Sequence, residues 1–362
     1  MKNYYIFALF FLSSMAHSQI VNIPDANFKN ALVNTLCVDT NSDNIGDTDA
    51  DTNNDGEIQV NEAAAVLNLV VSGQNISSLE GIHNFTNLEK LLCHQNQITI
   101  LEFTQNPNLK DLICYENQLT SIDVTQNPNL ERIWCPNNQL TSLNVSQNPN
   151  LNDLLCAFNQ ITSLDVTHNA QLEYLGCHGN QLTSLDVSQN TSLETLYCDE
   201  NSITSLDISQ NPNIESLVCR ENQLTSLNIR NGNNHNMRTM WAYTNPNLLF
   251  IQVDCVDEAN ARKCNSGFTW CKDSTASYIG ECTLGTEDFN EISIKLYPNP
   301  TQGILYIDSR QAIDSVSIYS VTGNLIKHTS SSKINVADLP AGLFFVKVYI
   351  MGKTITKKFI KS

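Results

Sequence analysis

The chain has 362 residues, is 41% hydrophobic and carries a formal net charge of −17, which allows two or three folded units and excludes a disordered chain. The charge is uneven: Glu287 to Lys361 holds nine basic and six acidic side chains, whereas residues 19–284 hold ten and 31. A surface that acidic repels phosphate backbones and excludes nucleic acid as a partner, and the change of sign sets a domain boundary at 284/285.

Residues 1–18 begin Met1-Lys2-Asn3, continue through the apolar run Tyr4–Leu12 and end Ala16-His17-Ser18. A basic start, a short apolar core and small residues before a cut are the marks of a secretory signal peptide, so export is expected. No later stretch reaches the roughly 18 to 20 apolar residues of a membrane helix, and no membrane span is expected.

Residues 19–66 read as an N-terminal cap. Asp25–Leu36, headed by Pro24, is a predicted helix, and Glu62–Leu67 begins a second. Between them Asp51-Thr-Asn-Asn-Asp-Gly-Glu-Ile-Gln-Val-Asn-Glu62 meets every required place of the Asp-x-Asn-x-Asp-Gly calcium loop. Asp51, Asn53 and Asp55 supply side-chain oxygens, Glu57 its carbonyl, Gln59 a direct or water-borne contact and Glu62 a bidentate carboxylate, so structural Ca2+ is expected here. With Ile23-Pro-Asp-Ala-Asn-Phe-Lys29, the segment resembles the EF-hand-like cap that precedes bacterial leucine-rich repeats, which implies a cover over the first coil.

Residues 67–254 hold the repeat. Cys93, Cys114, Cys135, Cys156, Cys177, Cys198 and Cys219 recur every 21 residues inside one frame, as in Leu130-x-x-Ile133-x-Cys135-x-x-Asn138-x-Leu140-x-x-Leu143-x-Val145. Counting Leu130 as position 1 puts Cys at position 6 and Asn at position 9. Degenerate coils flank the array, one starting at Leu67 with Ser72 at the Cys position, the other at Met237 with Ala242 there. About nine coils result. The alternation of positions 4 and 6 predicts short strands that pair in parallel about 4.8 Å apart. The Pro- and Asn-rich remainder is too short for a helix, so the convex side is expected as turns or extended chain. The position-9 Asn is expected to satisfy backbone groups left over by the turn. Stacked cysteines point parallel into the core, which does not suit the disulfide torsion, and are expected to stay reduced. The fold class is an α/β-type leucine-rich-repeat solenoid, mostly β, with a parallel concave sheet and a non-helical convex side. The frame resembles the internalin J-like bacterial adhesins, which implies a reduced cysteine ladder and a surface-exposed binding module. It carries no Leu-Pro-x-Thr-Gly signal, so a Gram-positive wall is not expected.

Comparing the coils with one another, positions 3, 5, 7 and 8 vary freely while the rest hardly change. Seven aromatic residues occupy them: Tyr115, Trp134, Phe158, Tyr174, Tyr197, Trp241 and Tyr243. Rings displayed on one sheet favour an interface, and with Arg220, Arg132, Glu116, Asp199, Glu200 and Glu221 between them the concave face suits a protein or glycan ligand. Glu200 and Glu221, stacked about 5 Å apart, have the carboxylate spacing of a retaining glycosidase. A solvated acidic strip neutralised by Arg220 is the better account, and no enzyme is expected. The expected function is a secreted or cell-surface recognition or adhesion protein. The alternatives are a structural surface or matrix component without a ligand and, further off, a glycan-acting enzyme.

Cys255, Cys264, Cys271 and Cys282 break the period and are expected to form two disulfides in a C-terminal cap, residues 255–284, with three connectivities open; Cys37 has no evident partner. From Ile292 short alternating segments read as a small β-sandwich, 285–362. Leu296-Tyr-Pro-Asn-Pro-Thr-Gln-Gly303, Val316–Gly323 and Leu339-Pro-Ala-Gly-Leu343 with a basic terminus closely resemble the type IX secretion sorting domain, which implies export across an outer membrane through that machinery.

Overall fold

A leucine every few residues with a strand-like pair inside it can bury its apolar side only against a copy of itself, and the chain does so repeatedly. The computed structural model describes residues 19–264, 270–280, 294–309, 312–350 and 353–362. The chain divides into two compact units, Met1–Thr283 and Leu284–Ser362.

The first unit is a parallel β-solenoid. Its concave sheet has ten three- or four-residue strands, from Asn68–Val70 through Lys90–Leu92 and one per coil to Thr239–Ala242, and ends on Trp270–Lys272. Each pairs in parallel and in register with the next, as Arg132↔Asp153 and Ile133↔Leu154. Positions 1, 4 and 6 are buried through the array, and the seven ladder cysteines are free and buried. Loss of water pushes the thiols of Cys93 and Cys156 up to about 12, so they pack as small apolar groups. The far side is non-helical: turns carry the chain to a second parallel sheet of Ser205–Asp207, Ser226–Asn228, Phe250–Gln252 and Ser277–Ile279.

Two asparagine ladders hold the turns. At position 9, Asn138 accepts from the Leu119 amide at 3.0 Å and donates to the carbonyls of Cys114 and Cys135, both at 3.1 Å; its equivalents from Asn96 to Asn245 repeat the pattern. The second ladder, Asn106, Asn127, Asn148, Asn169, Asn190 and Asn211, is fully buried on the convex side. Each of these donates twice to the preceding coil, as Asn148 does to Val124 and Asn127, and keeps an unpaired Oδ1.

The first coil corrects the sequence register. Asn68↔Lys90 and Leu69↔Leu91 are partners, so Val66 fills position 1 and Val71 the cysteine slot, both buried, while Leu67 and Ser72 face outward. Either phase offers apolar residues in that Val66-Leu-Asn-Leu-Val-Val71 run, and packing against Leu91 decides.

Both ends are covered. Helix Ala26–Asn34 is capped by Asp25, whose other oxygen accepts from Ser77 and Ser78 of the first coil. The second helix runs Val60–Ala65, earlier than its expected start at Glu62, because Gln59 and Glu62 form a reciprocal capping box. Cys37, free and buried, sits under this cap, where Val70 donates to the Cys37 carbonyl. At the other end Trp270 is buried beneath Arg262, and Asp273 accepts from the amides of Thr244 and Asn245. Cys264 is bonded to Cys271 and Cys255 is also disulfide-bonded; Cys282 and residues 1–18, where a signal peptide is expected, lie outside the described residues.

The second unit holds a three-stranded and a four-stranded antiparallel sheet. Its core is Leu305, Ile307, Val316, Ile318, Val346, Val348 and the stacked pair Phe344 and Phe359. Two strands that the sequence reading passes over, Leu325–Thr329 and Lys333–Asn335, are polar and short.

Candidate functional site

The freely varying positions lie on the concave face, and the structure splits them into two groups. In the first half, position 3 reads Lys90, Asp111, Arg132 and Asp153, alternating in sign on adjacent strands. Lys90 meets Asp111 at 3.5 Å, and Arg132 meets Asp111 at 3.4 Å and Asp153 at 3.1 Å. Trp134 spends its indole N–H on Asp153 at 2.9 Å and lies under Arg132. Tyr115 stacks on His94 at 4.3 Å, and His94 bonds Ser72. The Trp134 indole N–H and the Tyr115 ring face are thus engaged by neighbours on the same sheet.

The second half opens into a cleft of about 720 Å³ lined by Phe158, His178, Tyr197, Asp199, Glu200, Arg220, Trp241 and the row Thr195, Ser216 and Thr239. That volume is typical of ligand sites, roughly 300–1,000 Å³. Phe158, 46% exposed, stands at one end in a left-handed turn, φ 51°. Its ring lies edge-on to His178 at 4.9 Å and covers Gly179. Gly179, also left-handed at φ 64°, is where a side chain would collide: a Cβ there would fall 2.5 Å from Phe158 Cδ1. Tyr174 packs edge-on against Tyr197 at 5.8 Å and backs the cleft. Trp241 closes the other end, with Tyr243 beside it.

At its centre the cleft is only partly neutralised, with one guanidinium against three carboxylates. Arg220 reaches Asp199 at 3.2 Å, Glu200 at 3.3 Å, Glu221 at 3.1 Å and the Tyr243 hydroxyl at 3.1 Å. Glu200 and Glu221 thus clasp one guanidinium between them, as expected of a neutralised strip. Two polar atoms in this wall are buried without a partner, His178 Nδ1 and Trp241 Nε1. Burial holds the His178 imidazole below its usual pKa against the pull of Asp199 and Glu200, so it is neutral at pH 7. The sequence reading missed His178, Gly179 and the Thr195, Ser216, Thr239 row; the one available signal was position 3 turning from charged to hydroxylated.

In the N-terminal loop, Gly56 turns with φ 83° and donates to Asp51, while Asp51 and Glu62 are buried. Glu62 accepts from Gln59, Thr52 and Asn53, Gln59 bridges Asn53 and Asp55, and Glu57 pairs with Lys29. Among the described residues, no three His, Cys, Asp or Glu side chains gather in metal-holding geometry. The loop has the turn and the buried carboxylates a calcium ion needs, with those carboxylates occupied by amide and hydroxyl donors.

Residues 295–362 match the secretion system C-terminal sorting domain. Among solved structures, the functional domain of InlJ from Listeria monocytogenes, which includes a cysteine ladder, is 30% identical with a TM-score of 0.49, over 73% of this chain and 61% of that one. This chain therefore spans less than two thirds of that protein. Internalin C2 from the same organism is 22% identical with a TM-score of 0.51, over 66% of this chain and 99% of its own. A leucine-rich-repeat protein from Leptospira interrogans is 20% identical with a TM-score of 0.44, over 61% and 68%. No curated protein matches the chain. No helix among the described residues is long and apolar enough to cross a membrane.

Proposed function

For a chain that joins a leucine-rich-repeat solenoid to a secretion sorting domain, we propose a non-enzymatic recognition or adhesion protein, delivered to the outer surface or released, that binds a protein or glycan through its concave face. The observation that carries this reading is the cleft between Phe158 and Trp241, with two buried polar atoms left without partners. Ligand sites are concave and mostly apolar, with a few polar groups that fix orientation. The signal segment 1–18 and residues 285–362 supply the export route, the latter by engaging the type IX machinery. Calcium at Asp51, Asn53, Asp55, Glu57, Gln59 and Glu62 would brace the cap and takes no part in binding.

The clamp of Glu200 and Glu221 on Arg220 argues against the glycosidase alternative, because an acid and a nucleophile must be free to exchange protons and bonds with substrate. Adhesion of protein-coated beads to neighbouring and host cells tests the proposal. Phe158→Ala with Trp241→Ala should reduce adhesion to the uncoated level, and Tyr115→Ala with Trp134→Ala should leave most of it. The reverse pattern would move the site to the first half of the sheet. Adhesion no better than uncoated beads for the unmodified protein would favour a structural surface component.

A further inference from the structure

Resting on that reading, we infer that the cleft takes an uncharged oligosaccharide and not an anionic glycan or a basic peptide. Six charged groups stand in or at the cleft: Asp199, Glu200, Glu215 and Glu221 against Arg220 and Arg238. An anionic ligand would meet four carboxylates and two guanidiniums already engaged, Arg220 by three carboxylates and Arg238 by Glu215 at 3.3 Å. A cationic ligand would compete with Arg220 for three carboxylates that each already spend one oxygen on its guanidinium at 3.1–3.3 Å.

What remains unspent is neutral. Trp241 Nε1 can only donate, so it asks for an oxygen acceptor; the neutral imidazole of His178 offers Nδ1 as donor or acceptor according to its tautomer. Thr195, Ser216 and Thr239 are cross-strand partners and set three hydroxyls side by side along the floor, with that of Ser216 donating to Tyr197 Oη at 3.5 Å. Tyr197, Val218 and Trp241 form the parallel apolar row one step along the strands. A row of rings beside a row of hydroxyls matches a molecule with apolar ring faces and hydroxyl edges. Phe158 and Trp241 stand four coils apart, about 19 Å at the spacing of parallel strands, so a chain of several sugar rings is needed to touch both, and a single sugar is not enough.

The test presents the purified protein with immobilised neutral, sialylated and sulfated oligosaccharides and with lysine-rich and aspartate-rich peptides, each at low and high salt. The expected result is binding to neutral oligosaccharides alone, with affinity unchanged between roughly 0.05 and 0.5 M salt because no ion pair is formed. Trp241→Ala should weaken that binding about 30-fold, the loss typical of an aromatic anchor, while Trp241→Phe, which keeps a ring and loses the N–H, should fall between. Unchanged melting temperatures confirm that both variants are folded. Binding confined to sulfated or sialylated sugars or to either peptide, or affinity that falls steeply with salt, overturns the inference and leaves the recognition reading standing. Silence across the panel also overturns it, and the bead assay then decides the recognition reading on its own.

Discussion

The two asparagine ladders look alike in sequence and are predicted to differ sharply in what they contribute. Replacing Asn138 by Ala removes an acceptor from the Leu119 amide and a donor from the carbonyls of Cys114, Cys135 and, at 3.4 Å, Pro136. The site is buried, so water does not replace these partners. An orphaned buried N–H costs about 1–3 kcal/mol and each weakened carbonyl a fraction of that, giving about 3–5 kcal/mol in all. Replacing Asn148 by Ala orphans no amide: Val124 and Asn127 lose one donor each at 3.0 and 2.8 Å, and an Oδ1 that had no partner disappears. Relief of that unpaired oxygen offsets part of the loss, leaving about 1–2 kcal/mol. Equilibrium urea denaturation of the two variants, read as a shift in midpoint at unchanged slope, checks the difference. An Asn148→Ala loss equal to or larger than that of Asn138→Ala would refute the hydrogen-bond accounting for both ladders.

Calcium should raise the melting temperature, and Glu62→Gln should abolish the rise; identical melts in calcium and in chelator would remove the metal from the cap. Gly179→Ala should cost about 1 kcal/mol for its left-handed backbone and, by pushing Phe158 aside, weaken cleft binding, whereas in a Phe158→Ala background only the backbone cost should remain. His94 and His178 are both held below the usual histidine pKa by burial, so the unfolded chain takes up protons first. Stability is then complete above about pH 6.5 and falls as pH drops through that value toward the lower folded pKa; melts from about pH 7.5 to about pH 5 should flatten in the His94→Gln, His178→Gln double variant. Deleting residues 286–362 should trap the protein in the periplasm, measured by fractionation, and normal surface display of the deletion would contradict the sorting role.

The solenoid was readable because its signal is repeated: seven cysteines at one spacing leave no freedom of register, and the position-9 Asn bonds follow from the same frame. Register failed where repetition failed, at Val66–Val71, because a run apolar at every position but Asn68 offers two phases and only the contact with Leu91 chooses between them. The convex ladder was hidden for a different reason. Asn106, Asn127, Asn148 and Asn211 sit in a Gln-Asn-Pro-Asn turn, with Asn169 and Asn190 in the equivalent turn without Pro, and turn chemistry predicts Asn there whether or not it is buried. The expected concave-face residues do not gather in one place: Phe158, Tyr197, Arg220 and Trp241 share one cleft, while the Tyr115 ring stacks on His94 and the Trp134 indole bonds Asp153. Nothing in a single coil reveals that, since whether a ring is free depends on what the next coil places 4.8 Å away.

Position 3 shows how one sheet comes to have a closed half and an open half. Lys90, Asp111, Arg132 and Asp153 alternate in sign on neighbouring strands, so every charge finds its opposite across the ladder and the row zips shut. Tyr174, Thr195, Ser216 and Thr239 continue the same row without charge, and the cleft opens alongside them. Such half-buried surface pairs contribute modestly to stability, about 1 kcal/mol each, so their value to the fold does not explain why they stop. An uncharged row leaves polar groups able to exchange water for a neutral ligand without first breaking an ion pair, which the first half does not. On this argument Asp153→Ala, by freeing the Trp134 indole N–H and the Arg132 Nε and leaving Arg132 tied only to Asp111, should create weak anion binding in the first half of the sheet while leaving the Phe158–Trp241 cleft unchanged.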